Sequence, residues 1–302
     1  MKSKLLLTIL IISLALSISG CTDIVDKFPL PTEEAEVSSA GFGKSLTYGI
    51  IIRDFSPSQL SVDSGDEVEL GLDIENVGAH DAENIAINLF QKSGFSIVSE
   101  NSVSATSLLS PDLKFEQPGE RLYSYWVMAA PSVSVNQQKF LKARISYDYS
   151  SLATSNIHLV SRDIYNEQGP GAFSIQSTTS SAPVSFAIYD VPPIKVSSSP
   201  LGSVDVSLNI VIRNTGSGSV SGNIQNFVVY TVRGPVRNDV TSGCSDDVSG
   251  GEVSLFGKTQ ERSVKCDLSL DYLEDITSYT IEVLGDYTYI MDTDPVSILV
   301  KE

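Results

Sequence analysis

Apolar and polar residues alternate with a period of two through much of the chain beyond Thr47. Val68, Leu70, Leu72 and Ile74 interleave with Glu67, Glu69, Asp73 and Glu75, and Gly71 is the exception. This pattern predicts a strand with one buried face and one wet face. Asn76-Val77-Gly78 closes it with turn chemistry, because Asn and Gly tolerate positive φ. Ile85, Ile87 and Leu89 then resume the alternation, and further strands are predicted over Leu122–Met128, Lys139–Tyr149 and Asn156–Val160. No segment of this region carries a helical period. Residues 163–183 lose the alternation and hold Gly169-Pro170-Gly171 and a Ser/Thr run from Ser177 to Ser181, which reads as an interdomain linker.

The pattern then repeats. At an offset of 138, Val68, Leu70, Leu72 and Ile74 fall on Val206, Leu208, Ile210 and Ile212, and Asn76 and Gly78 fall on Asn214 and Gly216. At an offset of 140, Leu141, Ala143, Ile145, Tyr147 and Tyr149 fall on Ile281, Val283, Gly285, Tyr287 and Tyr289. Two registers differing by two residues argue for one module used twice. Parity places these tyrosines with the aliphatics, so they are expected in the core, with Asp148 and Thr288 facing water. Short strands broken by turn residues predict an all-β chain of two tandem antiparallel β-sandwich domains, at 47–162 and 184–302. With the strand, Asn-x-Gly turn, strand layout of Asp66–Asn88 and Ser203–Ile224, the pair resembles the immunoglobulin-like repeats of microbial surface proteins, particularly CARDB-type cell-adhesion-related domains. That resemblance implies a stalk, an adhesion surface or a carbohydrate- or protein-binding module, and no catalytic residue.

The start of the chain changes the picture. Lys2 and Lys4 precede an apolar run from Leu5 to Ile18, shorter than the ~20 residues a membrane-spanning helix needs. The layout is that of a secretory signal. It ends in Ile18-Ser19-Gly20-Cys21, which resembles the lipobox of bacterial and archaeal lipoprotein signal peptides. The resemblance implies cleavage after Gly20 and lipid on the Cys21 sulfur, so that residues 1–20 are a signal peptide and the protein is held to the membrane outside the cytoplasm. The alternative is an ordinary cleaved signal followed by a chance cysteine. Residues 21–46 carry Pro29, Pro31 and five acids without apolar periodicity and read as a lipidated N-terminus and flexible tether.

Formal net charge is −17, and losing residues 1–20 removes two lysines and no acid. A chain this acidic is repelled by nucleic acid and by anionic lipid, and no basic run in the sequence offsets this. With Cys21 lipidated, Cys244 and Cys266 remain, and an exported compartment permits their disulfide; two free buried thiols are the alternative. Neither His80, in a turn, nor His158, in a strand, has a nucleophile motif beside it, and no Gly-rich phosphate loop is present. Asp246, Asp247 and Glu252 are calcium candidates, against an ordinary solvated acidic loop. No cofactor is expected. The sequence therefore reads as a non-enzymatic lipoprotein serving as a structural, adhesion or protein/glycan-binding module of the cell envelope. A cell-envelope hydrolase or its accessory subunit is the alternative.

Overall fold

The computed structural model describes residues 49–302, apart from 102–103, 174–176, 190–192, 198–201, 246 and 256–259. Gly20, Cys21 and the tether to residue 46 lie outside the described residues. The described chain is predominantly β. Its first half holds β1 (Ile50–Pro57), β2 (Ser61–Asp63), β3 (Glu67–Asn76), β4 (Ala82–Gln91), β5 (Ser96–Glu100), β6 (Ser104–Leu108), β7 (Arg121–Ala129) and β8 (Gln137–Ser161). A short helix α1 (Arg162–Gln168), β9 (Ser177–Thr179), β10 (Val184–Ile188) and β11 (Ile194–Val196) follow. The second half continues with β12 (Gly202–Asn214), β13 (Ser219–Arg233), β14 (Val236–Asp239), β15 (Val253–Ser254), β16 (Glu261–Tyr272), β17 (Ile276–Asp292) and β18 (Val296–Lys301).

These strands form three sheets. One has the order β1-β3-β7-β5, a second β10-β12-β16, and the largest has eleven strands around the path β14-β13-β17-β8-β18-β2. The alternation on β3 buries Val68, Leu70, Leu72 and Ile74, and β7 adds Trp126 and Met128 from the neighbouring strand. Their counterparts Val206, Leu208, Ile210 and Ile212 on β12 are buried with Cys266 and Leu268 of β16. Each small sheet covers one part of the large one, giving a sandwich in each half. In the second half, for example, Phe186 of β10 packs edge-on against Phe227 of β13 at 6.1 Å between ring centroids.

The repeat is visible in the ladders. Leu89 faces Ala143 in the first half and Val229 faces Val283 in the second, the same pair at an offset of 140. The two halves nevertheless do not stand apart as the sequence suggests, because residues 44–302 form one compact unit. Their join is β8 against β17, an unbroken antiparallel ladder from Ile276↔Val160 to Asp292↔Arg144. The strands expected over Lys139–Tyr149 and Asn156–Val160 are one 25-residue strand. Ser151 and Ser155 continue its inward row as small buried polar residues, and Ser151 Oγ donates to Val184 O at 2.5 Å. Satisfied serines carry the strand across a stretch that reads in sequence as a break. The expected linker 163–183 contains α1, capped by Ser161, and β9, which pairs with Ala153–Ser155 of β8. No helix among the described residues is long and apolar enough to cross a membrane.

Candidate functional site

The β8–β17 join is self-complementary. Tyr147 and Tyr149 correspond by repeat to Tyr287 and Tyr289, yet Tyr147 pairs with Tyr289 and Tyr149 with Tyr287. Exchanging the halves maps the ladder onto itself. A pseudo-two-fold axis therefore passes through the Asp148↔Thr288 pair, as in an isologous dimer made within one chain.

On the inner side of the axis lie the four tyrosines, all buried, with rings 5.8–6.4 Å apart in edge or tilted contacts. Their hydroxyls bind the ends of strands and turns in matched pairs. Tyr149 accepts from His80 N at 3.1 Å, and Tyr289 accepts from Gly218 N at 2.8 Å. Tyr147 accepts from Ile50 N at 3.4 Å, and Tyr287 accepts from Val184 N at 3.2 Å. The two Asn-x-Gly turns are built alike as well. Asn76 Nδ2 donates to His80 O while its Oδ1 accepts from Gly78 N, and Asn214 does the same with Gly218 O and Gly216 N. The close approach requires glycine at 78, since a Cβ there would lie 2.7 Å from Gly49 N.

Burial raises the phenol pKa values of all four. Tyr149 and Tyr289 are pushed up to about 12, and Tyr147 and Tyr287 rise further. In the unfolded chain these phenols titrate near the usual ~10. Above that pH the unfolded state releases protons that the folded state retains, so their stabilising contribution is full below about 10 and is lost as pH rises through about 12. Melting curves across this range should show stability falling steeply, with tyrosinate absorbance from the buried four growing in only with unfolding. Gradual titration of all twelve tyrosines in the folded state would contradict the burial.

On the outer side of the axis is a polar trough of about 670 Å³. Its floor is Asp148 and Ser150 of β8 with Asp286 and Thr288 of β17, and its walls come from the His80–Glu83 turn and from β13. Asn84 and Asn226 hold positive φ of 52° and 49° at irregularities in β4 and β13, a backbone region Asn tolerates better than most residues. Asn84 Nδ2 donates to Asp148 Oδ2 at 2.8 Å and Asn226 Nδ2 to Asp286 Oδ2 at 2.9 Å. The remaining carboxylate oxygens accept from Thr288 Oγ1 at 2.6 Å and Ser150 Oγ at 2.7 Å. The trough is lined by Asp81, Glu83, Asp148 and Asp286 and by no lysine or arginine among the described residues. His80 Nε2 is buried without a hydrogen-bond partner among them. Burial lowers the His80 pKa against the pull of Asp81 and Asp286, so the ring stays neutral at physiological pH.

The sequence-derived candidates fall elsewhere. Cys244 and Cys266 are joined, fixing the loop after β14 to β16. Asp246 lies outside the described residues. Asp247 pairs with Arg262, and Glu252 accepts from Asn223 Nδ2 at 2.9 Å. No group of three or more metal-ligating side chains occurs among the described residues. His158 Nδ1 lies 2.8 Å from Ser278 Oγ on the outer face of the β8–β17 ladder, with no acid hydrogen-bonded to the ring among the described residues. The trough residues Asp148, Asp286, Asn84 and Asn226 were not singled out by sequence. The signal was present only as water-facing positions beside the Tyr-x-Tyr repeat, which says nothing of the register that brings residues 148 and 286 together.

No family model matches the chain, and no curated protein matches it. Among solved structures, it is similar over 80% of its length, at 10% identity and a TM-score of 0.19, to the secreted serine protease VesC from Vibrio cholerae. It spans about half of that protease chain. It is also similar over 83% of its length, at 9% identity and a TM-score of 0.11, to the collagen adhesin CNA from S. aureus, of which 92% is covered. At these scores neither likeness carries an argument about function.

Proposed function

We propose that this chain is an extracytoplasmic lipoprotein, held to the cell membrane through lipid on Cys21 and working without catalysis as a structural, adhesion or protein- or glycan-binding module of the envelope. The observation that carries the reading is the apolar run ending in Ile18-Ser19-Gly20-Cys21 ahead of an all-β body. The Cys244–Cys266 disulfide supports it, since such bonds persist in oxidising compartments. The repeat supports it too, through its resemblance to the CARDB-type modules. Each trough carboxylate at the axis is held by an amide and a hydroxyl donor. That arrangement suits fixed acceptors for a bound group better than a proton-transferring pair. Ligands that bring donors, such as hydroxyls or amines, are the class it would take, and nucleic acid is disfavoured by the −17 charge.

Cys21→Ser tests the anchor. Expressed in its host, the variant should leave the membrane fraction for the soluble or unprocessed one, and the wild-type chain should carry acyl mass on Cys21. An unchanged need for detergent, with no acyl mass, would defeat the reading.

A further inference from the structure

The outer face of the large sheet ends, in the first half, on a patch unlike the rest of the molecule. Phe90 of β4 and Phe140 of β8 stand there 46% and 45% exposed. They share the outward row with Lys142 and Arg144, as the alternation of buried Leu141 and Ala143 fixes. The Arg144 guanidinium lies 4.8 Å from the Phe90 ring centre and pairs with Asp292 at 2.7 Å. The turn after β4 brings Lys92 alongside, because Ser93 Oγ donates to Phe140 O at 2.5 Å. Lys92 and Lys142 have no ion-pair partner among the described residues. Three cations and two exposed phenyl rings thus gather beside two acids, Asp292 and the exposed Asp294, in a chain of net charge −17.

We infer that this patch docks on the surface of an anionic lipid bilayer and orients the protein on its membrane. The chemistry is that of an interfacial contact. Phenyl rings gain by entering the boundary between head groups and acyl chains, and unpaired ammoniums gain from anionic head groups. A soluble polyanion would satisfy the lysines but offer the rings no apolar phase. The acidic remainder of the molecule is repelled by the same surface, so one face alone is selected. The geometry of attachment fits. Ile50, where the described strands begin, sits level with Tyr147 on β8. Phe140 is seven residues away along that strand, or about 23 Å. The patch lies on the opposite face of that sheet, and the 27 residues from 22 to 48 have a contour length of at most about 90–97 Å, so chain length permits the patch to reach the bilayer that holds Cys21. The inference rests on the proposed membrane anchoring.

The test substitutes for that anchor. A chain beginning at residue 22, which retains the whole compact unit of 44–302, carries a hexahistidine tag at its N-terminus. It is bound to vesicles containing a nickel-chelating lipid in phosphatidylcholine, with or without phosphatidylglycerol. A photoreactive phenylalanine analogue is placed at position 140 or, as a reference, at position 236, where Val236 is 52% exposed in the second half. With phosphatidylglycerol present, lipid adducts from position 140 should exceed those from 236 roughly tenfold, and Lys92→Glu with Lys142→Glu should bring them to the reference level. Vesicles of phosphatidylcholine alone should give the low level without any variant. Equal adducts at both positions, indifference to the charge reversal, or adducts at 140 to protein instead of lipid would each overturn the inference. The chelating lipid makes this readout independent of whether Cys21 is acylated, which the Cys21→Ser fractionation decides separately.

Discussion

Tyr287→Ala should destabilise the protein by about 3–5 kcal/mol, the range for emptying an aromatic core site. Three features of the site put it at the upper end of ordinary substitutions. The ring is buried and touches both Tyr149 and Tyr289. The hydroxyl accepts from Val184 N and lies 2.9 Å from Ser151 Oγ, so its loss strands a buried backbone donor at the start of β10. The site lies on the ladder that joins the halves. Because residues 44–302 are one compact unit, calorimetry should show a single transition displaced by roughly 6–20 °C, and not one half melting early. Tyr287→Phe separates the contributions: it keeps the packing and should cost about 1–3 kcal/mol for the unpaired donor. If instead these tyrosines were a binding platform, Tyr287→Ala would leave the melting curve in place and abolish binding to envelope material. That result would defeat the assignment of the cluster to the core.

Opening the Cys244–Cys266 disulfide should have the next largest effect. The sequence separation is 22, and in the chain-entropy picture closing such a loop contributes about 3 kcal/mol. The bond is well placed to deliver it. Cys266 lies buried on β16, paired with Leu208 of β12, and Cys244 follows a turn whose Thr241 Oγ1 accepts from Val229 N at 2.9 Å. The disulfide thereby links the small sheet of the second half to β13 of the large one. Reduction, or the double change Cys244→Ala and Cys266→Ala, should lower the melting temperature by roughly 6–12 °C. Amide exchange should report loosening in the first half as well, since β8 carries the strain across. Exchange that quickens only between β12 and β16 would show that the halves unfold independently despite their shared ladder.

Strand identity was legible in the sequence, since a period of two needs only neighbouring residues. The rows Val68–Ile74 and Val206–Ile212 are buried as the alternation requires, and so are the four tyrosines, while Asp148 and Thr288 turn outward. The repeat and its Asn-x-Gly turns were legible for the same reason, and Asn76 and Asn214 make equivalent hydrogen bonds. With Cys21 set aside the sequence left a Cys244–Cys266 disulfide or two free buried thiols, and the structure joins them. Of the acidic loop near residue 250, Asp247 pairs with Arg262 and Glu252 accepts from Asn223, partners that the local sequence does not name.

Sequence by itself determined the all-β class, the inward and outward faces of the strands, the duplicated module and the polarity of each face. Only the tertiary structure decided that the two modules share one sheet. Periodicity fixes which side of a strand is buried, but it does not encode which strand lies beside it, and the partners here are some 140 residues apart. The register that sets Tyr147 against Tyr289 and Tyr149 against Tyr287 brings the rings of the two halves into tilted contact across the ladder, while each hydroxyl is held by a donor of its own half. That register also assembles the trough from Asp148 and Asp286. The neighbouring β4–β8 ladder gathers Phe90, Phe140, Lys92 and Lys142 at the far end of the same sheet, because side chains distant in sequence become neighbours only through strand pairing.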